Sequence, residues 1–249
     1  MKLLISALLL LFACITEAKK IVTLDSPEYP PYTSEEMESE GFITQIIIET
    51  FKQVGYEARI QYFPWARIVK RVEEGKVMGV TNIWQRVERM NWVIYSDPMP
   101  GSELVFYKLK SKDISFKGSY RKLRSYTIGT GTSYANPPAF DAVKDTLNVK
   151  FNSEDIKNLK MLSGGRLDLV IFDKYLAAYL MKKHMPEALE KLDFINYPLS
   201  IEQSRLGISK KTENANQIIV DFNRGLAQLK REGRVRAILK AHSMPVAKD

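Results

Sequence analysis

The chain has 249 residues, of which 45% are apolar and 27% charged. That balance excludes intrinsic disorder, and the length leaves room for one large domain or two small ones, either able to bury a core. The formal charge is +8, but the basic residues are scattered (Lys108, Lys110 and Lys112; then Lys230, Arg231, Arg234 and Arg236) and read as solvated faces, so no nucleic-acid partner is expected.

The N-terminus starts with Lys2, continues through an apolar run over residues 3–12 and leaves through small residues to Ala18. This is the order of a secretory signal peptide over residues 1–18, with a mature chain starting at Lys19 and a periplasmic destination. The run is too short for a membrane span, and a buried helix would carry more polar residues at its outward positions. Cys14 is the only cysteine; it leaves with the leader, so no disulfide is expected. A second reading, a lipid anchor at Cys14 in Leu11-Phe12-Ala13-Cys14, is weakened by the bulk of Phe12.

Beyond the leader, residues 21–24 read as a buried strand and residues 25–39 as a loop rich in Pro, Tyr and Glu. Apolar residues at helical spacing follow (Phe42, Ile46, Ile47, Phe51 and Val54), stopped by Gly55. Residues 58–63 alternate as a strand, residues 66–74 form a helix ended by Gly75, and residues 77–82 form a third strand. Strand and helix alternating in this way specify a parallel sheet with crossover helices.

The order then restarts. Residues 126–129 read as a strand, 130–138 as a loop, 140–147 as a helix and 149–151 as a strand. Residues 156–162 form a helix before Gly164-Gly165, residues 167–172 a buried strand and residues 174–183 a helix. Extended segments at 103–108 and 205–209 connect the two units, and residues 215–239 read as one helical stretch. The fold class is therefore α/β with two lobes joined by a two-strand hinge: residues 19–107 with 205–249 in the first lobe, 108–204 in the second.

Catalytic signals are missing. His184 and His242 are the only histidines, neither has metal-ligand spacing, and no nucleophile elbow or phosphate loop occurs. No cofactor, metal or enzymatic activity is expected. Instead, aromatic and polar residues cluster where strands end: Tyr29 and Tyr32, Trp65 and Arg67, then Asn82, Trp84, Arg86 and Arg89. In the second unit Thr130, Thr132, Ser133 and Asp173 do the same. Ligands of open α/β sheets sit beyond the carboxyl ends of strands. Flat rings offer contact area, and arginine pairs with carboxylates. Trp92 and Tyr95 read as strand core, and Asp168 as a local cap or ion pair.

Several stretches carry a resemblance: Tyr29-Pro-Pro-Tyr32, Gly41-Phe42, Arg89 through Tyr95-Ser-Asp-Pro98, Ile128-Gly-Thr-Gly-Thr132, Gly165-Arg-Leu-Asp168 through Asp173, and Leu206-Gly-Ile-Ser-Lys210. In order and spacing they resemble the family 3 extracellular solute-binding proteins, in a divergent branch. The resemblance implies the type II periplasmic-binding-protein fold and a monomeric receptor that closes on an amino acid or related small carboxylate for an ABC-type importer and its membrane permease. It implies that Tyr29 and Trp65 sandwich the ligand and that Arg89 grips an α-carboxylate, joined by Thr132 from the other lobe. It further implies that Asp173 takes an α-ammonium and that Asn82 offers a small polar contact. Trp84 and Arg86 depart from the family pattern and make the site bulkier and more basic. The alternatives are a sensor without a transporter and a dehydratase-like enzyme on the same fold.

Overall fold

A computed structural model describes residues 20–132 and 135–246; the leader, Cys14 and Ser133 lie outside these residues. In chain order the elements are β1 (Lys20–Ser26), α1 (Phe42–Gln53), β2 (Tyr56–Tyr62), α2 (Trp65–Glu74), β3 (Gly79–Ile83), β4 (Val93–Tyr95) and β5 (Met99–Leu109). Then follow β6 (Thr127–Gly131), α3 (Pro138–Asp141), β7 (Asn148–Asn152), α4 (Asp155–Ser163), β8 (Leu169–Asp173) and α5 (Lys174–His184). The chain ends through α6 (Ala188–Lys191), β9 (Leu192–Phe194), β10 (Ser200–Ser209), α7 (Ala215–Arg231) and α8 (Arg234–Ala241).

The same topology is built twice. β1 lies between β2 and β3, parallel to both, and β6 lies between β7 and β8, parallel to both. In each set the chain crosses to one side of the first strand and returns on the other, which opens a crevice at the carboxyl ends where the order reverses. β10 runs antiparallel to β3 and β4 at one end and to β5 at the other, while β5 runs antiparallel to β8. These two long strands stitch the two lobes together, with Ser200 opposite Leu104 and Glu202 opposite Ser102. They are longer than the expected 103–108 and 205–209 because they pair with each other beyond either lobe.

Burial explains the elements. Phe42, Ile43, Ile46, Ile47 and Phe51 of α1 are fully buried and share a core with Ile218, Phe222 and Leu226 of α7. A smaller core joins Phe106, Ile128, Phe140 and Leu169 in the second lobe. α1 opens at Gly41, whose φ is +89° and whose absent side chain would lie 2.6 Å from the Tyr32 carbonyl oxygen. Glycine is needed there, and it lets the Phe42 and Ile43 N–H groups donate to the carbonyls of Pro31 and Tyr32 at 3.2 and 2.9 Å. The turn carrying Tyr29 and Tyr32 is thereby fixed to the head of α1.

Two expected helices change. The stretch at 140–147 is one α-turn, α3, followed by a 3-10 turn at Lys144–Thr146. Phe140 is the one buried residue of α3, and a single anchored turn does not propagate. The stretch at 215–239 is split at Gly233, which adopts φ +70° and separates α7 from α8.

Candidate functional site

The carboxyl ends of β1, β2, β3 and β6 open onto one cleft of about 650 Å³, within the size range of small-molecule sites. Tyr29, Trp65, Asn82, Trp84 and Arg89 line it from the first lobe and Thr132 from the second. Six of the seven residues expected at the site therefore meet in one place. Asp173 does not line this cleft.

Tyr29 stands on the turn after β1. Its N–H donates to the Thr33 carbonyl at 2.8 Å, and its ring packs on Tyr32 at 5.4 Å and meets Trp84 edge-on at 6.3 Å. Pro64 ends the run after β2, and Trp65 follows as the first residue of α2. Trp84 precedes the 3-10 turn Val87–Asn91 after β3, and Arg89 lies within it. Arg89 donates to the Trp84 carbonyl at 3.0 Å, and its guanidinium lies 5.1 Å from the Trp65 ring centre, a cation–π contact. Burial pulls its pKa down from the ordinary arginine value, and among the described residues no carboxylate forms an ion pair with it. A cation without an ion-pair partner among the described residues, in an aromatic cleft, is suited to an anionic ligand.

The neighbouring arginines are engaged elsewhere. Arg86 pairs with Glu202 of β10 at 2.8 Å, and Arg67 lies over Phe63 at 4.3 Å. Asp168 pairs with Lys112 and accepts the Thr127 N–H. Asn82 adopts φ +46° at the end of β3, and its side-chain oxygen accepts the Ser204 hydroxyl at 2.8 Å. It borders the cleft with one of its oxygen's two acceptor positions taken. Thr132 is exposed, held by its N–H donating to the Asn152 carbonyl at 2.8 Å.

Asp173 is the N-cap of α5. One oxygen accepts the N–H groups of Tyr175 and Leu176 at 3.0 and 2.7 Å, and the other accepts the Tyr32 hydroxyl at 2.9 Å. The residue is 1% exposed, and burial pushes its carboxyl up to about 6 against those hydrogen bonds. It borders a separate void of about 20 Å³, from which Tyr29 and Trp84 face both spaces.

Other lining residues lay outside the expected set: Glu28, Glu35, Tyr62, Phe63 and Ser153. Glu28 and Glu35 are exposed carboxylates, joined by the Glu35 N–H donating to Glu28 at 2.9 Å. Their loop was conspicuous for its Pro, Tyr and Glu content, and Tyr62 and Phe63 end the alternation of β2. Neither His184 nor His242 lines the cleft; His242 instead meets Gln45 at 2.9 Å. Among the described residues no cluster of ligating side chains could hold a metal ion, and no helix is long and apolar enough to cross a membrane.

Residues 21–244 match the model of the bacterial extracellular solute-binding proteins, family 3. No curated protein matches the chain in a sequence search. Among solved structures, a mutant of the ArgBP from T. maritima is 20% identical with a TM-score of 0.72, over 89% of this chain and 94% of that one. The GluR0 ligand-binding core from Nostoc punctiforme, in complex with L-glutamate, is 17% identical with a TM-score of 0.73, over 90% and 100%. A histidine kinase sensor domain with similarity to periplasmic binding proteins is 14% identical with a TM-score of 0.73, over 90% and 96%. At such identities the likeness shows the fold.

Proposed function

The chain belongs to the bacterial extracellular solute-binding proteins, family 3, and we propose that it is a periplasmic receptor that captures a small carboxylate, an amino acid or a related acid, between its two lobes for an ABC-type importer. One observation carries the reading: Arg89 stands half-buried over Trp65, with no ion-pair partner among the described residues, in a cleft that Thr132 closes from the other lobe. An anion there gains a charge-assisted contact in a partly desolvated site. A ligand touching both lobes favours the closed arrangement by the contacts it makes only there, with β5 and β10 as the hinge. Tyr29, Trp65 and Trp84 supply the flat walls. Residues 108–204 form the moving second lobe, and the receptor acts as a monomer that presents itself to a membrane permease. No step of covalent chemistry is assigned.

The transport role is supported by a similar structure, the substrate-binding protein of an amino acid ABC transporter, 18% identical. A second reading, a sensor that reports the ligand to a separate signalling partner, is favoured by the sensor-domain neighbour. A thermal-shift screen of the mature protein against amino acids and organic acids identifies the ligand, since binding raises apparent stability. Calorimetry then tests the site: Arg89→Ala weakens binding by about 2–5 kcal/mol, the cost of stripping a desolvated charge of its partner. A carboxylate bound as tightly by Arg89→Ala removes this reading.

A further inference from the structure

The carboxylate that the resemblance assigns to an α-ammonium is engaged before any ligand arrives. Three donors already meet Asp173: the N–H groups of Tyr175 and Leu176 on one oxygen and the Tyr32 hydroxyl on the other. The void beside it, about 20 Å³, has room for about one water. It cannot take an ammonium together with the carbon that bears it. Tyr29, Trp84 and Ala135 border both this void and the cleft, the two rings in edge contact at 6.3 Å, so these side chains stand between Asp173 and the ligand space. The other carboxylates on the cleft wall, Glu28 and Glu35, are exposed, and a surface pair in water contributes little.

We propose that Trp84 and the Tyr32–Asp173 contact set the ligand class: the receptor takes carboxylates that carry no α-ammonium, gripped by Arg89 and flanked by Tyr29, Trp65 and Trp84. This rests on the carboxylate-receptor reading above and narrows it. An amino acid entering this cleft would strip water from its ammonium without meeting a buried counter-charge, and an uncompensated charge in a desolvated site is costly. The same acid without the amino group loses nothing.

The experiment is calorimetry on the full-length protein with each common amino acid paired against its desamino acid, for example tryptophan against indolepropionate and arginine against guanidinovalerate. The expected result is that binders are desamino acids, each at least about tenfold tighter than its amino acid partner, a ratio worth 1.4 kcal/mol. Asp173→Asn should change both members of a pair by the same factor, because neither reaches it. Trp84→Ala should shrink the ratio by opening a path to the carboxylate. Tighter binding of the amino acid, with Asp173→Asn erasing that preference, overturns the proposal and leaves the receptor reading intact. An unchanged ratio in Trp84→Ala removes Trp84 from the selectivity. Absence of binding by every pair overturns both readings together.

Discussion

The buried carboxyl of Asp173 makes a sharp prediction about stability and pH. Desolvation raises its pKa in the folded protein from 3.8 to about 6, against the opposing pull of the Leu176 N–H, the Tyr32 hydroxyl and the Tyr175 N–H. In the unfolded chain the group titrates at about 3.9. Below that value both states hold the proton and the group contributes equally to each. Between the two values the folded protein binds more proton than the unfolded chain, so stability falls as pH rises toward about 6 and stays lower above it. A separation of about two pH units is worth ~3 kcal/mol at ~1.4 kcal/mol each. Asp173→Asn removes the titration while keeping an oxygen for the α5 cap and an amide for the Tyr32 hydroxyl to accept. Urea unfolding of both proteins from about pH 4 to about pH 7 isolates the difference, because other titrating groups cancel between them; relative to wild type the variant should gain ~3 kcal/mol across that range. A difference that stays flat with pH would refute the reasoning. It would mean that the three donors hold Asp173 ionised and that hydrogen bonding outweighs burial.

Other expectations follow from single contacts. Asp25 is fully buried and meets Arg71 at 2.6 Å, so Arg71→Ala should cost about 3–5 kcal/mol by stranding the charge; a loss in denaturant unfolding below ~1 kcal/mol would show that water reaches Asp25. Asn82→Ala gives up the Ser204 hydrogen bond and places a less tolerant residue at φ +46°, for a cost of about 2 kcal/mol, whereas Asn82→Gly should recover the backbone share. Equal losses in the two variants would sink the backbone argument. At Gly101 an added Cβ would collide with the Glu202 carbonyl of β10. Gly101→Ala should therefore destabilise by about 1–3 kcal/mol by forcing β5 and β10 apart, and an unchanged unfolding midpoint would contradict that packing.

Much of the fold was legible because its signals are local. Helical spacing in Phe42, Ile46, Ile47 and Phe51, and the stops at Gly55 and Gly75, depend only on neighbours a few residues away. The repeated strand–helix order of two lobes depends only on those elements in sequence. What failed to read through is what tertiary pairing decides. The full lengths of β5 and β10 come from their pairing across about a hundred residues of chain, and the break at Gly233 competes with a hydrophobic stripe that runs through it. The residues at 140–147 had a helical composition, but only Phe140 found a core to fill.

The site divides along the same line. Tyr29, Trp65, Trp84 and Arg89 could be located from their places at strand ends, because the topology of an α/β sheet points all such ends at one crevice. Asp173 met the same criterion at the end of β8, yet it borders the small adjoining void and not the cleft itself. Three of its roughly four acceptor positions are taken by its own helix and by Tyr32, a hydroxyl 141 positions earlier in the chain. Position along a strand predicts which space a side chain borders; only three-dimensional packing decides whether its polar atoms remain available. Arg89 satisfies both conditions: it borders the cleft, and no carboxylate among the described residues pairs with it. Asn82 and Asp173 satisfy the first or neither. The charge on the cleft wall is therefore set by Arg89 and by exposed Glu28 and Glu35. On the proposed reading the receptor discriminates through one half-buried cation and the shape of its aromatic walls, because Glu202 is already paired with Arg86 and Asp173 is hydrogen-bonded behind Tyr29 and Trp84.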